Sequence, residues 1–88
     1  MEIQQIRSLK VGEFILIGNE TYEVVQMRPD AIPAPNRDPP IRQYLSVYLH
    51  NVKSKSILPK SELCIFDDNN ELWFNENKKI KEEEVSKV

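Results

Sequence analysis

Every second residue from 44 to 50 is a tyrosine, a serine or a histidine, and the residues between them are leucine or valine. Alternate side chains of a β-strand point to opposite faces, so this pattern predicts a strand with Leu45, Val47 and Leu49 buried. Its other face would present two tyrosines and an imidazole beside basic residues. Nucleobases stack on such rings at roughly 1–3 kcal/mol each, while arginine and lysine hold phosphates. The predicted binding residues are Arg28, Arg37, Arg42, Tyr44, Tyr48, His50, Lys53 and Lys55.

The same aromatic row is also typical of a surface that packs against protein. Tyrosine is a good strand residue, and the row could lie under a neighbouring loop or a second subunit. Residues 1–60 carry eight basic and six acidic side chains, a sum of +2, and residues 61–88 carry four and eight, a sum of −4. The resulting net charge of −2 disfavours electrostatic coating of nucleic acid. We therefore expect a protein partner or self-association, with single-stranded nucleic acid or RNA as the alternative.

Enzymatic chemistry finds little support among the titratable residues. Catalysis needs a nucleophile oriented by a base, paired carboxylates in a cleft, or a metal held by several ligands. The chain has one histidine and one cysteine, and Cys64 lies in an apolar run typical of an inert, buried thiol. The acidic run 67–71 lacks the glycine and the distal glutamate of a calcium loop. We predict a non-enzymatic binding module without a cofactor, a metal or a small-molecule substrate.

Two hairpins and a leading segment would position the aromatic row. Residues 10–27 contain two β-rich runs separated by Gly18-Asn19-Glu20, which predicts a hairpin with a tight turn. A second hairpin is predicted from 63–66 and 71–74 around the polar loop 67–70. Residues 1–9 are compatible with one or two helical turns or with a leading strand. Residues 53–56 are typical of a turn, and Ile57-Leu58 of a short strand that Pro59 ends. Trp73 is either a core anchor or an exposed interface residue, and we favour the core position.

The segment 28–43 contains five prolines and no glycine. Proline lacks the backbone N–H and fixes φ, so this proline-rich loop should be stiff, extended and unable to join a central ladder. Long connections in small domains are commonly functional, and this one also carries three arginines. We weigh two interpretations equally, a projecting basic arm and a tolerated insertion.

These elements predict an all-β protein, a small SH3-like barrel of five to six antiparallel strands. Residues 1–76 would form the single domain, and 77–88 a short charged C-terminal tail, helical or disordered. An acidic tail lying over a basic groove is a second interpretation of that segment. No apolar stretch is long enough to span a membrane, and a single cysteine suits a reducing compartment, so we expect a cytoplasmic protein.

The opening hairpin resembles that of a known family. Residues 9–17, the turn 18–20 and residues 22–25 look like the first hairpin of bacterial elongation factor P and its archaeal and eukaryotic initiation-factor relatives. Residues 44–55 resemble the following strand and its basic turn in that family. This resemblance implies an SH3-like barrel over roughly residues 9–60.

The resemblance does not extend to the translation role. In the family, the loop after the first hairpin is short, contains glycine and carries a basic residue, often a modified lysine, at its tip. That residue reaches the ribosomal peptidyl-transfer site, whereas residues 27–43 here are rich in proline and contain no lysine. The oligonucleotide-binding-fold domains that follow in the family also have no counterpart in this sequence. The resemblance therefore implies the barrel fold and not the translation role.

Overall fold

The computed structural model describes residues 1–88, which form one short helix and seven strands. Helix α1 is Ile3–Arg7, and the strands are β1 Phe14–Ile17, β2 Glu20–Pro33, β3 Ile41–Asn51, β4 Ser61–Phe66, β5 Leu72–Phe74, β6 Lys78–Ile80 and β7 Val85–Lys87. A single 3-10 turn, Glu82–Glu84, joins β6 to β7. The all-β prediction is confirmed, whereas the predicted count of five to six strands is wrong.

The strands form one antiparallel sheet in the order β6-β5-β4-β3-β2-β1-β7. Its two edge strands, β6 and β7, are separated in the chain by residues 81–84 only. Because so short a connection keeps the two edges near each other, the sheet must curl, and it forms a half-barrel. None of the helices has the length and apolar character that crossing a membrane requires.

The N-terminal segment packs where the two sheet edges approach each other. The Met1 ammonium donates hydrogen bonds to the carbonyl oxygens of Glu82, at 3.1 Å, and of Val85. Of the two predicted forms of this segment, the structure has the helix. Ile6 of α1 is fully buried in the core cluster, and Ile3 of the same helix packs against that cluster.

The first predicted hairpin is confirmed. Ile17 pairs with Glu20, which leaves Gly18 and Asn19 as a two-residue turn. Gly18 has φ of +63°, a conformation that costs glycine little and other residues more. This turn reverses the chain so that β1 and β2 pair along residues 14–17 and 20–23.

The core lies on the inner face of the curled sheet. Val47 and Leu49 are fully buried and Leu45 packs beside them, as the alternation in β3 predicts. The second predicted hairpin is also present, and Leu63, Ile65 and Leu72 contribute to this core. The complete cluster is Ile6, Leu9, Ile15, Ile17, Tyr22, Val24, Val47, Leu49, Leu63, Ile65, Leu72, Ile80 and Val85.

The C-terminal residues differ from the predicted charged tail. Residues 78–80 and 85–87 are strands, and Ile80 and Val85 are buried in the core cluster. Charged residues dominate the local composition, but one buried apolar side chain in each short strand is enough to fix that strand to the core. β7 pairs with β1, so the end of the chain completes the sheet.

The prediction of a long loop over residues 28–43 is wrong, because most of this segment is paired in β2 and β3. β2 and β3 pair as far as Pro33 opposite Ile41, so the connecting loop is only 34–40. Prolines are tolerated here because β1 pairs with residues 20–23 alone, which leaves 26–33 of β2 as a free edge. Along this edge Pro29 and Pro33 have no N–H, and the N–H of Ala31 donates to the Asp30 carboxylate at 2.8 Å.

The predicted strand at Ile57-Leu58 is wrong. These residues lie in an irregular loop between β3 and β4, and the Ile57 side chain is 94% exposed. Both sides of β3 are already occupied by β2 and β4, so this segment cannot pair with the strand that precedes it.

Candidate functional site

The outer face of the sheet, opposite the core, carries the aromatic row that the sequence predicts. In β3 this face presents Tyr44, Ser46, Tyr48 and His50, and the strand register adds side chains from the neighbouring strands. β2 contributes Arg28, Asp30 and Ile32, β4 contributes Glu62, Cys64 and Phe66, and β5 contributes Trp73. The predicted orientation of β3 is therefore confirmed.

A groove of about 390 Å³ runs along part of the outer face. Its lining residues, which define the aromatic groove, are Ile32, Arg42, Tyr44, Glu62, Cys64, Phe66, Trp73 and Glu76. The rings of Tyr44 and Phe66 lie 5.3 Å apart at an angle of 52°. Ligand sites in proteins are typically concave and mostly apolar with a few polar groups, at about 300–1,000 Å³. The aromatic groove has that character.

Trp73 belongs to this groove and not to the core, so the predicted core position is wrong. Leu72 and Phe74 both turn toward the core, and a strand places the residue between them on the opposite face. The indole Nε1–H of Trp73 is buried without a hydrogen-bond acceptor. Such groups are rare in folded proteins, because each costs about 1–3 kcal/mol.

Arg42 lines the groove and is held there by acidic side chains. Its guanidinium lies 3.8 Å from the centre of the Phe66 ring and 3.1 Å from a carboxylate oxygen of Asp68. A second carboxylate, from Glu71, lies 3.4 Å away. These carboxylates, Asp68 first, raise the pKa of Arg42. The charge that the sequence predicts for a ligand phosphate is already neutralised within the protein.

The other two predicted arginines are also paired. Arg37, in the loop after β2, contacts Asp68 at 2.5 Å. Arg28 lies 3.8 Å from Asp30, donates a hydrogen bond to the Tyr48 hydroxyl at 3.2 Å and stacks 5.5 Å from the centre of that ring. Arg28 therefore links β2 to β3, and Arg37 links the loop after β2 to the loop between β4 and β5. Their predicted role toward a partner stays a prediction.

Two carboxylates at the groove have no cationic partner. Glu62 accepts a hydrogen bond from the Ser46 hydroxyl, and neither Glu62 nor Glu76 forms an ion pair. Glu62 is tied to the turn that carries Glu76, because its backbone exchanges two hydrogen bonds with Asn75, at 2.9 and 3.0 Å. The two carboxylates therefore border the same side of the groove.

Burial, followed by nearby carboxylates, raises the pKa values of two residues in the groove. Burial is the main cause that raises the pKa of Tyr44 to about 12, followed by the charge of Asp30. Burial also raises the pKa of Cys64 to about 12, with Glu62 as the next cause and Glu76 contributing. A thiol with so high a pKa is a poor nucleophile, so Cys64 is a structural member of the groove wall.

The remaining predicted residues lie outside the aromatic groove. His50 and Lys55 line a separate, mostly polar cleft of about 610 Å³ against the loop 54–59, and Lys53 is exposed in the turn after β3. The Nε2–H of His50 donates to the carbonyl oxygen of Ser56 at 2.7 Å, which fixes its tautomer. Of the eight predicted residues, the structure brings only Arg42 and Tyr44 to the groove.

Asp68 makes a pH-dependent clasp for the loop 34–40. Hydrogen bonds from Arg42 and then from Arg37 lower the pKa of Asp68. Because the pKa of Asp68 is lowered in the folded protein, its ion pairs with Arg37 and Arg42 contribute fully to stability at pH values above the ordinary aspartate pKa of about 4. This contribution is lost as the pH falls through the lowered pKa. We expect the loop to become mobile under acidic conditions, measured as a fall in the ¹⁵N–{¹H} NOE of Ala34, Asn36, Arg37 and Asp38, the loop residues that have an amide N–H.

Asp68→Asn should produce the same mobility at neutral pH. Asp67→Asn is the matched control, because Asp67 pairs with Arg7 of α1 and not with the loop. An unchanged NOE in Asp68→Asn would show that the prolines and the backbone hydrogen bonds within the loop hold it without the Asp68 carboxylate.

Comparison of the chain with known protein families, with curated proteins and with solved structures found no match.

Proposed function

We propose that this protein is a non-enzymatic binding module that takes a segment of a protein partner into the aromatic groove. The observation that carries this proposal is the pairing of all three arginines on and beside the outer face with Asp30, Asp68 or Glu71. A nucleic acid would have to displace these carboxylates before its phosphates could bind the three arginines. A peptide segment needs no such displacement.

The lining of the groove favours a peptide for a second reason. Tyrosine, tryptophan and arginine are enriched among the residues that dominate protein–protein binding energy, and Tyr44, Trp73 and Arg42 meet here. Ile32 and Arg42 pair with each other near the end of the β2–β3 hairpin, which we call the proline-rich hairpin. This hairpin would form one wall around the bound segment.

We also propose an SH3-like barrel and a cytoplasmic location. The half-barrel of antiparallel strands and the resemblance of its opening hairpin to the elongation factor P family support the first. The single cysteine, buried and unpaired, supports the second. The tip of the proline-rich hairpin has no lysine, so the translation role of that family is not part of the proposal.

Panning a phage-displayed library of random dodecapeptides against the immobilised protein tests this function. Peptides enriched on the protein should bind in solution, and Tyr44→Ala should weaken their affinity about tenfold or more, because truncation of a central aromatic residue costs about 2 kcal/mol. Tyr48→Ala is the matched control, since Tyr48 lies on the same strand and face but outside the groove lining. Its affinity should change less than about twofold.

Two outcomes would overturn the proposal. One is a library that yields no peptide sensitive to Tyr44→Ala. The other is binding of single-stranded RNA that falls steeply with salt and is lost equally in both tyrosine variants, which would establish the nucleic-acid alternative. A dimer that dissociates in Tyr44→Ala, measured by sedimentation equilibrium, would instead identify the partner as a second copy of the chain and support the proposal.

A further inference from the structure

We infer that the aromatic groove is a receptor for a lysine side chain of the bound segment. This inference rests on the proposed function and names the chemistry of its ligand. It follows from the balance of charges around the groove, from the rings that line it and from the geometry of its two unpaired carboxylates.

Each cation at the groove already has an acidic partner. Arg42 is bound by Asp68 and Glu71, and Lys79, opposite Trp73 in the strand register, contacts Glu71 at 2.7 Å. Glu62 and Glu76 are left without cations. The groove therefore has an excess of negative charge, which a positively charged ligand complements and an anionic one does not.

The rings of the outer face accept cations within the protein itself. Arg42 covers Phe66 and Arg28 covers Tyr48, at 3.8 and 5.5 Å from the ring centres. Trp73 and Tyr44, which also line the groove, have no cation over their rings. Tryptophan gives the strongest cation–π interaction of the aromatic side chains, so Trp73 is the ring best suited to a ligand cation.

The separation of the two carboxylates between different elements favours lysine over arginine. Glu62 lies in β4 and Glu76 in the turn after β5, and Glu62 is already engaged by Ser46. A planar guanidinium is best matched by one carboxylate that takes two parallel hydrogen bonds. An ammonium is a compact charge with three donors, and it can be shared by separate acceptors. Its alkyl stem would lie on Cys64 and the neighbouring rings.

Titration with small amphiphiles of equal length tests this inference, with the Trp73 indole N–H as the NMR reporter. The probes are n-pentylammonium, n-pentanol and pentanoate. We expect n-pentylammonium to shift the indole resonance with an affinity about tenfold higher than that of n-pentanol, because a cation–π contact assisted by two carboxylates supplies about 1.4 kcal/mol. Pentanoate should bind more weakly than either.

Glu62→Gln combined with Glu76→Gln should reduce the tenfold preference for the ammonium to about twofold or less, because the rings remain and the charges do not. Glu83→Gln is the control, since Glu83 lies on the 3-10 turn outside the groove lining and forms no ion pair. n-Butylguanidinium binding more tightly than n-pentylammonium would overturn the choice of lysine.

Equal affinities for n-pentylammonium and n-pentanol would overturn the inference and leave the peptide-binding function intact. Failure of the function has a different signature, a peptide library without ligands that depend on Tyr44. The two results can therefore be told apart.

Discussion

Replacement of Val85 by aspartate should unfold most of the protein at room temperature. Val85 has no exposed surface, belongs to the core cluster and lies in β7 opposite Ile17 of β1. A carboxylate at this position would be buried without a partner, at a cost of several kcal/mol. The total stability of a domain is about 5–15 kcal/mol, and for so short a chain the lower end applies. Urea denaturation followed by circular dichroism measures the loss.

Val88→Asp is the matched control, because it makes the same chemical change three positions later at a side chain that is 71% exposed. Its free energy of unfolding should stay within about 0.5 kcal/mol of the parent. If Val85→Asp were equally mild, residues 85–87 would be a loose tail, as their charged surroundings predict, and β7 would not belong to the sheet.

Ile65→Ala is expected to produce the second large effect, a loss of about 2–5 kcal/mol of stability. Ile65 is fully buried in β4, between Leu45 of β3 and Leu72 of β5 in the strand register. Truncation removes its contacts with both neighbours and leaves a cavity that the flanking strands cannot close. The midpoint of urea denaturation should fall while the slope of the transition stays unchanged.

The loop between β3 and β4 offers a control for this change. Ile57→Ala makes the identical substitution at a side chain that is 94% exposed, and its effect should be within about 0.5 kcal/mol. A comparable loss in both variants would mean that residue 57 packs against the sheet in solution and that the loop is ordered differently.

Local signals were sufficient to predict the central strands. Gly18-Asn19 requires a tight turn wherever it lies between β-rich runs, and the alternation from Leu45 to Leu49 defines one buried face. Neither signal depends on residues elsewhere in the chain, which is why both predictions are confirmed. The C-terminal strands were missed for the opposite reason. Ile80 and Val85 become strand residues only because the sheet provides edges for them.

The aromatic groove was only partly predictable. Tyr44 and Arg42 follow from the pattern within β3, whereas Glu62, Phe66 and Trp73 reach the same face through the pairing of β3 with β4 and of β4 with β5. Alternation in the second hairpin could have placed these three on one face, but it does not specify the register. The neutralisation of Arg42 was also hidden, because Asp68 is 26 positions away in the chain.

The free edge of β2 bears on how copies of this protein behave at high concentration. The unpaired N–H and C=O groups of a free edge can form hydrogen bonds with a strand of a second molecule, which is the first step of fibril growth. Alternate residues of this edge are Met27, Pro29, Ala31 and Pro33. The two prolines have no N–H, and the N–H of Ala31 is hydrogen-bonded to the Asp30 side chain. Among these four residues, only Met27 has an N–H that could pair with a second molecule. The prolines that look like an interruption of the strand thus protect it from templated growth.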